Sequence, residues 1–245
     1  MRYGIVSDIH ANLEALETAL DSLGDVDALI CQGDIVGYGP NPNECCDIIR
    51  ERNAVTVLGN HDAAAVGCIS LDLFNPYARE AIEWTRDQLT DANRDFLHGL
   101  PMIHRDEHFI MVHGSLNRPE EFEYIVSSWE ARPTFAEMDP YKLCLISHTH
   151  IAEFYFQQLE SEWADQVSMV SGGPIDLKPD FMYIINTGSV GQPRDFNPKA
   201  GFGVYDTDAG VVEIRRLEYP IEVTQAKMRG AGLPEPLWDR LEYGT

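Results

Sequence analysis

Short apolar runs that stop at a histidine, aspartate or asparagine recur along this chain. Tyr3–Ser7 stops at Asp8-Ile9-His10, and Ala28–Gln32 at Gly33-Asp34. Ala54–Leu58 stops at Gly59-Asn60-His61-Asp62, His108–Val112 at His113-Gly114, and Leu143–Ser147 at His148-Thr149-His150. Runs of five residues bounded in this way read as buried strands. Between the first three lie helical patterns. Asn12 can cap a helix whose Leu13, Leu16, Leu20 and Leu23 form one stripe, and Pro42–Arg52 reads as a second helix. A β-α-β-α-β order predicts parallel strands with helical crossovers, and ligands of such sheets bind beyond the carboxyl ends of the strands. All five polar clusters stand there.

The rest of the chain is less regular. Asn75–Leu100 reads as two helices, with Pro76 in the first turn of one and Thr90 or Asp91 capping the other. Leu116–Tyr141 has no clean period and reads as an insertion flanking the clusters. Glu153–Leu159 and Tyr183–Ile185 read as strands, and Ser161–Asp180, with Gly172-Gly173-Pro174, as mostly loop. Phe202–Asp206 and Val211–Leu217 flank a turn at Thr207–Gly210 and predict a hairpin. Ile221–Leu241 reads as helix broken near Gly230–Pro236. At 245 residues with 44% hydrophobic content, a single domain spanning 1–245 is the simplest expectation, with insertions near 116–141 and 161–180.

A net charge of -22 repels long polyanions, which argues against non-specific nucleic-acid or anionic-membrane binding and leaves room for a small anionic substrate. No apolar run approaches a membrane span, and no signal-peptide pattern precedes the first strand. The cysteines are Cys31, Cys45, Cys46, Cys68 and Cys144, an odd number without a Cys-x-x-Cys pair. A reducing cytoplasm is the expected location. Oligomeric state is left open by the sequence.

Five of the eight histidines fall in the clusters, beside Asp8, Asp34 and Asn60. Such donors describe a metal site. In Asp8-x-His10 and His148-x-His150, alternate residues of an extended segment point the same way and can share one ion or two adjacent ions. Two carboxylates, four or five imidazoles and an amide exceed the needs of one four-coordinate ion, but suit two ions sharing a carboxylate. His98, His104 and His108 lie outside the pattern and read as ordinary polar residues. Asp62 reads as a helix cap or an orienting group rather than a ligand.

The ordered series Asp-x-His, Gly-Asp-x-x-Gly, Gly-Asn-His-Asp, His-Gly and x-His-x-His resembles the calcineurin-like metallophosphoesterase superfamily. The resemblance implies an α/β fold, a two-sheet β-sandwich flanked by helices in four layers (α/β/β/α). It also implies a dinuclear centre of divalent transition-metal ions (Mn, Fe, Zn, Co or Ni). Asp8, His10, Asp34 and His150 would hold one ion, and Asp34, Asn60, His113 and His148 the other. Asp34 would bridge them. His61 would face the phosphate as the catalytic histidine, with Asn60 also near the substrate.

Two positions depart from relatives. Ser147 stands where many have glycine, a small change expected to leave the site intact. Tyr38 in Gly33-Asp34-Ile35-Val36-Gly37-Tyr38-Gly39-Pro40 stands where Ser/Thr protein phosphatases and symmetrical diadenosine-tetraphosphate hydrolases carry a phosphate-binding arginine. Tyrosine cannot supply that bidentate contact. The chain therefore looks more like the small bacterial and archaeal branch associated with phosphodiester hydrolysis, as does Asn186–Arg194, whose Arg194 is expected near the substrate or in a surface ion pair. A phosphodiesterase on a small substrate is the leading expectation. A phosphomonoesterase or nucleotide hydrolase with the same site is the alternative. A non-catalytic scaffold is disfavoured because no ligand is missing and His61 is present.

Overall fold

The structure is a computed structural model describing residues 1–245. The chain begins with β1 (Arg2–Val6), α1 (Leu13–Ser22), β2 (Ala28–Cys31), α2 (Pro42–Glu51), β3 (Val55–Thr56) and α3 (Asn60–Ala65). It continues through α4 (Pro76–Gln88), α5 (Asp91–His98), β4 (Ile103–Arg105), β5 (Ile110–Val112), α6 (Ser128–Glu137) and β6 (Leu143–Ile146). Six more strands follow: β7 (Ala152–Gln158), β8 (Ala164–Ser168), β9 (Gly173–Asp176), β10 (Phe181–Thr187), β11 (Ala200–Asp206) and β12 (Val211–Leu217). The helices α7 (Ile221–Gly230) and α8 (Glu235–Asp239) complete the chain.

The strands form two six-stranded sheets, ordered β3-β2-β1-β11-β12-β9 and β4-β5-β6-β10-β7-β8. The pairs β1–β2 and β2–β3 are parallel, as the β-α-β-α-β order predicts, and so are β5–β6 and β6–β10. Both sheets are mixed: in the first, β11 and β12 return antiparallel through the expected hairpin, and in the second β4, β7 and β8 pair antiparallel.

Alternation places the cores. Successive strand residues point to opposite faces. Thus Leu29 and Cys31 face the helices over the first sheet, while Ile30 between them faces the second sheet. Leu143 and Leu145 of β6 join that inter-sheet core, and Cys144 and Ile146 pack towards α6 with Ala131, Phe135 and Met138. The layers are helices, sheet, sheet and helix, the sandwich that the resemblance implies. The helix caps follow the sequence. Asn12 Oδ1 accepts from Ala15 N at 3.2 Å, Asn75 caps the Pro76 helix, and Thr90, not Asp91, caps the next.

Two expectations need correction. Ser161–Asp180 is not mostly loop, since it contributes β8 and β9, the last strand at one edge of each sheet. Both lack a strand signature for the same reason. An edge strand needs no buried alternation and tolerates proline, so β8 is largely exposed and β9 carries Pro174. Leu116–Tyr141 holds α6, capped by Ser127, whose helical period is obscured by the interior Pro133. The Gly59-Asn60-His61-Asp62 cluster runs into the short helix α3, whose polar start and alanine run carry no amphipathic stripe and which Asp62 caps as expected.

Candidate metal centre

The predicted clusters converge along the seam between the sheets. Asp8 and His10 follow β1, Asp34 follows β2 and Asn60 begins α3 after β3. From the second sheet, His113 follows β5, and His148 and His150 follow β6. The local backbone is not the extended one expected for Asp8-x-His10 and His148-x-His150. Asp8, His10, Asp34, His148 and His150 all lie in the left-handed region, at φ of 47°, 48°, 52°, 73° and 61°. Side-chain alternation therefore cannot explain how these residues meet. Coiled turns aim them, each at a conformational cost of about 1–2 kcal/mol for a residue with a Cβ. Ladder-like bonds hold the turns in place: Asp8 N donates to Gly33 O at 3.0 Å, and His10 N to Asp34 O at 3.0 Å. Gly59 is required by space, since a Cβ there would lie 2.1 Å from Asp34 Oδ1.

Two donor groups result, one of Asp8, His10, Asp34 and His150, the other of Asp34, His113 and His148. Within each, the ligand atoms lie within 4.8 Å of one another. Asp34 belongs to both. The outer ring nitrogens are engaged by backbone carbonyls: His10 Nδ1 by Val36 O at 3.1 Å, His150 Nδ1 by Gln192 O at 2.6 Å, and His113 Nδ1 by Gln32 O at 2.8 Å. With the proton on Nδ1, Nε2 of His10 and of His150 presents a lone pair inward. His10 Nε2 and His150 Nε2 then face each other at 3.1 Å, with Asp8 Oδ1 at 3.4 Å from His150 Nε2. His113 Nε2 lies 3.3 Å from Asp34 Oδ2 and 3.2 Å from Asn60 Oδ1. Asp8 Oδ1 and Asp34 Oδ2 are buried without a hydrogen-bond donor. Converging lone pairs and orphaned carboxylate oxygens are costly in a protein interior unless a cation joins them, so these residues fit metal ions.

The electrostatics express the same crowding. Burial pushes Asp8 up to about 7. It also pushes His10, His148 and His150 well below the usual histidine range. Burial opposes ionisation of Asp34 too, but the charges of His113 and His61 hold its carboxyl well below the usual range. Burial likewise opposes the charge on His113, yet the Asp34 carboxylate beside it holds His113 up at about 9.

The surrounding groups take definite places. Asp62 is no ligand. Its carboxylate accepts from Val36 N at 3.0 Å and Gly59 N at 3.3 Å, tying the Asp34 and Asn60 turns together. Ser147 Oγ donates to Gln32 O at 3.0 Å and lies 2.9 Å from His113 Nδ1, so it supports the ring rather than disturbing it. His61 is buried, lies outside both donor groups, and leaves Nδ1 without a partner. Its ring sits 4.8 Å from His10 and 4.3 Å from Tyr38, centroid to centroid. Burial pushes it down to about 4. His98, His104 and His108 belong to neither donor group.

A cavity of about 420 Å³ opens beside this centre. Asn60, His61 and His148 line its floor together with Tyr38 and Arg194. Arg194 makes no ion pair with a carboxylate. Its Nη2 donates to Tyr38 Oη at 3.2 Å and to Gln192 Oε1 at 2.9 Å. The 116–141 segment contributes Tyr124, which stacks on His148 at 3.9 Å, whereas the 161–180 segment contributes nothing to the cavity. Sequence reasoning missed Tyr124, Phe74 and Arg240 in this lining. None carries a local motif, and only the fold brings them to the site.

Comparison with known proteins agrees with this chemistry. Residues 1–210 match the calcineurin-like phosphoesterase superfamily domain. An uncharacterized protein of Methanocaldococcus jannaschii is 38% identical over 246 residues, covering 98% of this chain and 97% of that protein. The crystal structure of a metallophosphoesterase from Sphaerobacter thermophilus superposes with a TM-score of 0.87 at 41% identity, covering 100% of this chain and 99% of that one. A hypothetical protein from Pyrococcus horikoshii OT3 shares the fold with a TM-score of 0.80 at 18% identity, over 100% of this chain and 98% of that one. With its fold, its donor groups and a match over residues 1–210, the chain belongs to the calcineurin-like phosphoesterase superfamily, a family of phosphoester hydrolases.

Proposed function

We propose that this chain is a dinuclear metal-dependent phosphodiesterase acting on a small substrate. The observation that carries the reading is Asp34, whose carboxylate belongs to both donor groups. Asp8, His10 and His150 complete one site with it, and Asn60, His113 and His148 the other. The mixed nitrogen and oxygen donors suit Mn, Fe, Zn, Co or Ni better than Ca or Mg. Two such ions, when bound, supply Lewis acidity and a water of lowered pKa. The protein's own groups do the rest. His61, at the cavity floor, offers a ring N–H to a phosphate or leaving oxygen. Arg194 offers a charged fork to the same anion.

The cavity lining favours a diester over a monoester. A diester carries one charge fewer and one substituent more. Phe74, Leu73 and Tyr124 give that substituent an apolar wall. Tyr38 in place of the phosphatases' arginine points the same way. The overall charge of -22 supports a small substrate rather than a long nucleic acid. Five free cysteines fit a reducing cytoplasm. We read residues 1–245 as one domain, because the segment beyond residue 210 packs on Tyr38 at the site.

Hydrolysis of bis-p-nitrophenyl phosphate and p-nitrophenyl phosphate, with and without Mn²⁺, tests the reading. The diester should be the better substrate, its hydrolysis should require the ion, and Asp34→Asn should lose at least about 100-fold of the rate, the scale on which disturbing a metal site acts. Equal diester rates for metal-loaded, metal-free and variant protein would sink it. A monoester preference would shift it to the phosphomonoesterase alternative.

A further inference from the structure

Beyond residue 210, where the superfamily match ends, lie β12 and then a tail of α7, α8 and a short 3-10 turn at Arg240–Glu242. This tail is anchored at the site. Met228, Leu233, Leu237 and Leu241 bury themselves in one cluster with Tyr38. Phe196 N, two residues after Arg194, donates to Gly244 O at 2.8 Å, and Arg240 Nε donates to the carbonyl of Thr245. The anchoring delivers Arg240 into the cavity that Arg194 lines.

Two guanidinium groups therefore meet without an Asp or Glu side chain between them. Gln192 Oε1, a neutral acceptor, receives Arg194 Nη2 at 2.9 Å and Arg240 Nη1 at 3.4 Å. Neither arginine pairs with an Asp or Glu side chain, in a chain with 40 acidic residues and only 18 lysines and arginines. Glu121 lines the same cavity but is engaged by Arg118 at 2.8 Å. Arg194 Nε is buried with no partner. Burial and then the nearby Arg194 push Arg240 down to about 10, the expected response of a cation crowded by another. Such a pair is repulsive until an anion joins it, and two planar forks match the oxygens of a phosphate.

We propose that Arg194 and Arg240 form a subsite for a second anion, so that the substrate is a phosphoester carrying a further phosphoryl group beside the scissile one. The subsite rests on the reading of this cavity as the substrate mouth. Arg194, whose N–H donates to His150 O at 3.1 Å, stands between the metal centre and Arg240. It is placed to touch the scissile phosphate, while Arg240 reads the additional one. The arginines supply locally the attraction that the acidic surface denies a multiply charged substrate.

Binding separates this proposal from the diesterase reading, because it needs no turnover. Thymidine 3′,5′-bisphosphate and thymidine 5′-monophosphate are titrated calorimetrically into metal-loaded wild type, Arg240→Gln and Arg240→Lys. The bisphosphate should bind wild type at least tenfold more tightly than the monophosphate. Arg240→Gln should reduce that ratio to within about twofold of unity, and Arg240→Lys should retain part of it. The ratio corrects each variant for any loss of folded protein. Equal affinities in wild type, failure of both ligands to bind, or an unchanged ratio in Arg240→Gln would overturn the subsite. Absence of bis-p-nitrophenyl phosphate hydrolysis would instead count against the diesterase reading and leave the ratio to decide the subsite.

Discussion

His10 and His150 stand 140 residues apart in the chain, yet their Nε2 atoms lie 3.1 Å from each other. Backbone carbonyls fix both rings from behind, so neither can turn away without losing a hydrogen bond. The fold thus holds a repulsive contact in readiness for a cation. Metal binding should return that energy as stability. A ligand at a thousandfold excess over its Kd stabilises by about 4 kcal/mol, which is roughly 10 °C in Tm for a chain of this size. Thermal unfolding before and after chelation measures it, and an unchanged Tm would contradict a metal role for these histidines.

Without metal, stability should peak near pH 6.5. Burial pushes His10, His148 and His150 well below their usual value and His61 to about 4, so all four protonate more readily when unfolded. Burial pushes Asp8 and Asp62 up to about 7, so these two hold protons in the fold. Between about pH 4 and 6.5 four histidines against two aspartates leave the unfolded chain ahead in bound protons, and stability falls with acidification. Each excess proton contributes about 1.4 kcal/mol per pH unit. Above 6.5 the slope reverses, because His113, held at about 9, keeps its proton only in the fold. Urea midpoints of the chelated protein from pH 5 to 9 should trace this maximum; a midpoint that climbs steadily towards pH 5 would refute it.

His61→Gln should lower kcat by about a hundredfold to ten-thousandfold, the usual share of a proton-transferring group. Its ring belongs to neither donor group, so bound metal should stay at the wild-type level. Elemental analysis beside the kinetics separates the two roles. Loss of metal in step with activity would recast His61 as a ligand.

Asp62→Ala should destabilise the protein by about 2–4 kcal/mol. It would strip the buried Val36 and Gly59 N–H groups of their only side-chain acceptor. Asp62→Asn keeps one acceptor oxygen and should cost less. Denaturant titration of both variants gives the comparison, and equal losses would point to the charge rather than the hydrogen bonds.

The donor set was legible because its chemistry admits few residue types and because strand ends are marked by the apolar runs before them. Asp8, His10, Asp34, Asn60, His113, His148 and His150 could all be picked out on those grounds. The reason they meet was not legible. Strand alternation suggested a shared direction for Asp8 and His10, whereas their left-handed backbones do the aiming. The edges of the sheets were silent for want of a buried face: β8 lies mostly in solvent and β9 carries Pro174. Pro133 hid α6 by interrupting its period. Arg240 left no trace at all, since a single arginine in a polar tail is indistinguishable from a surface residue until the tail is seen to fold back.

The centre draws its donors from both sheets, Asp8, His10 and Asp34 from one and His113, His148 and His150 from the other. It therefore works as a rivet through two plates. A slide of one sheet past the other would part Asp34 from His113 and Asp8 from His150, so shear along the seam is the motion that a filled centre forbids. The cavity beside the centre is lined by parts outside that rivet: the Leu73–Asn75 turn, the Glu121–Tyr124 segment and Arg240 of the folded-back tail.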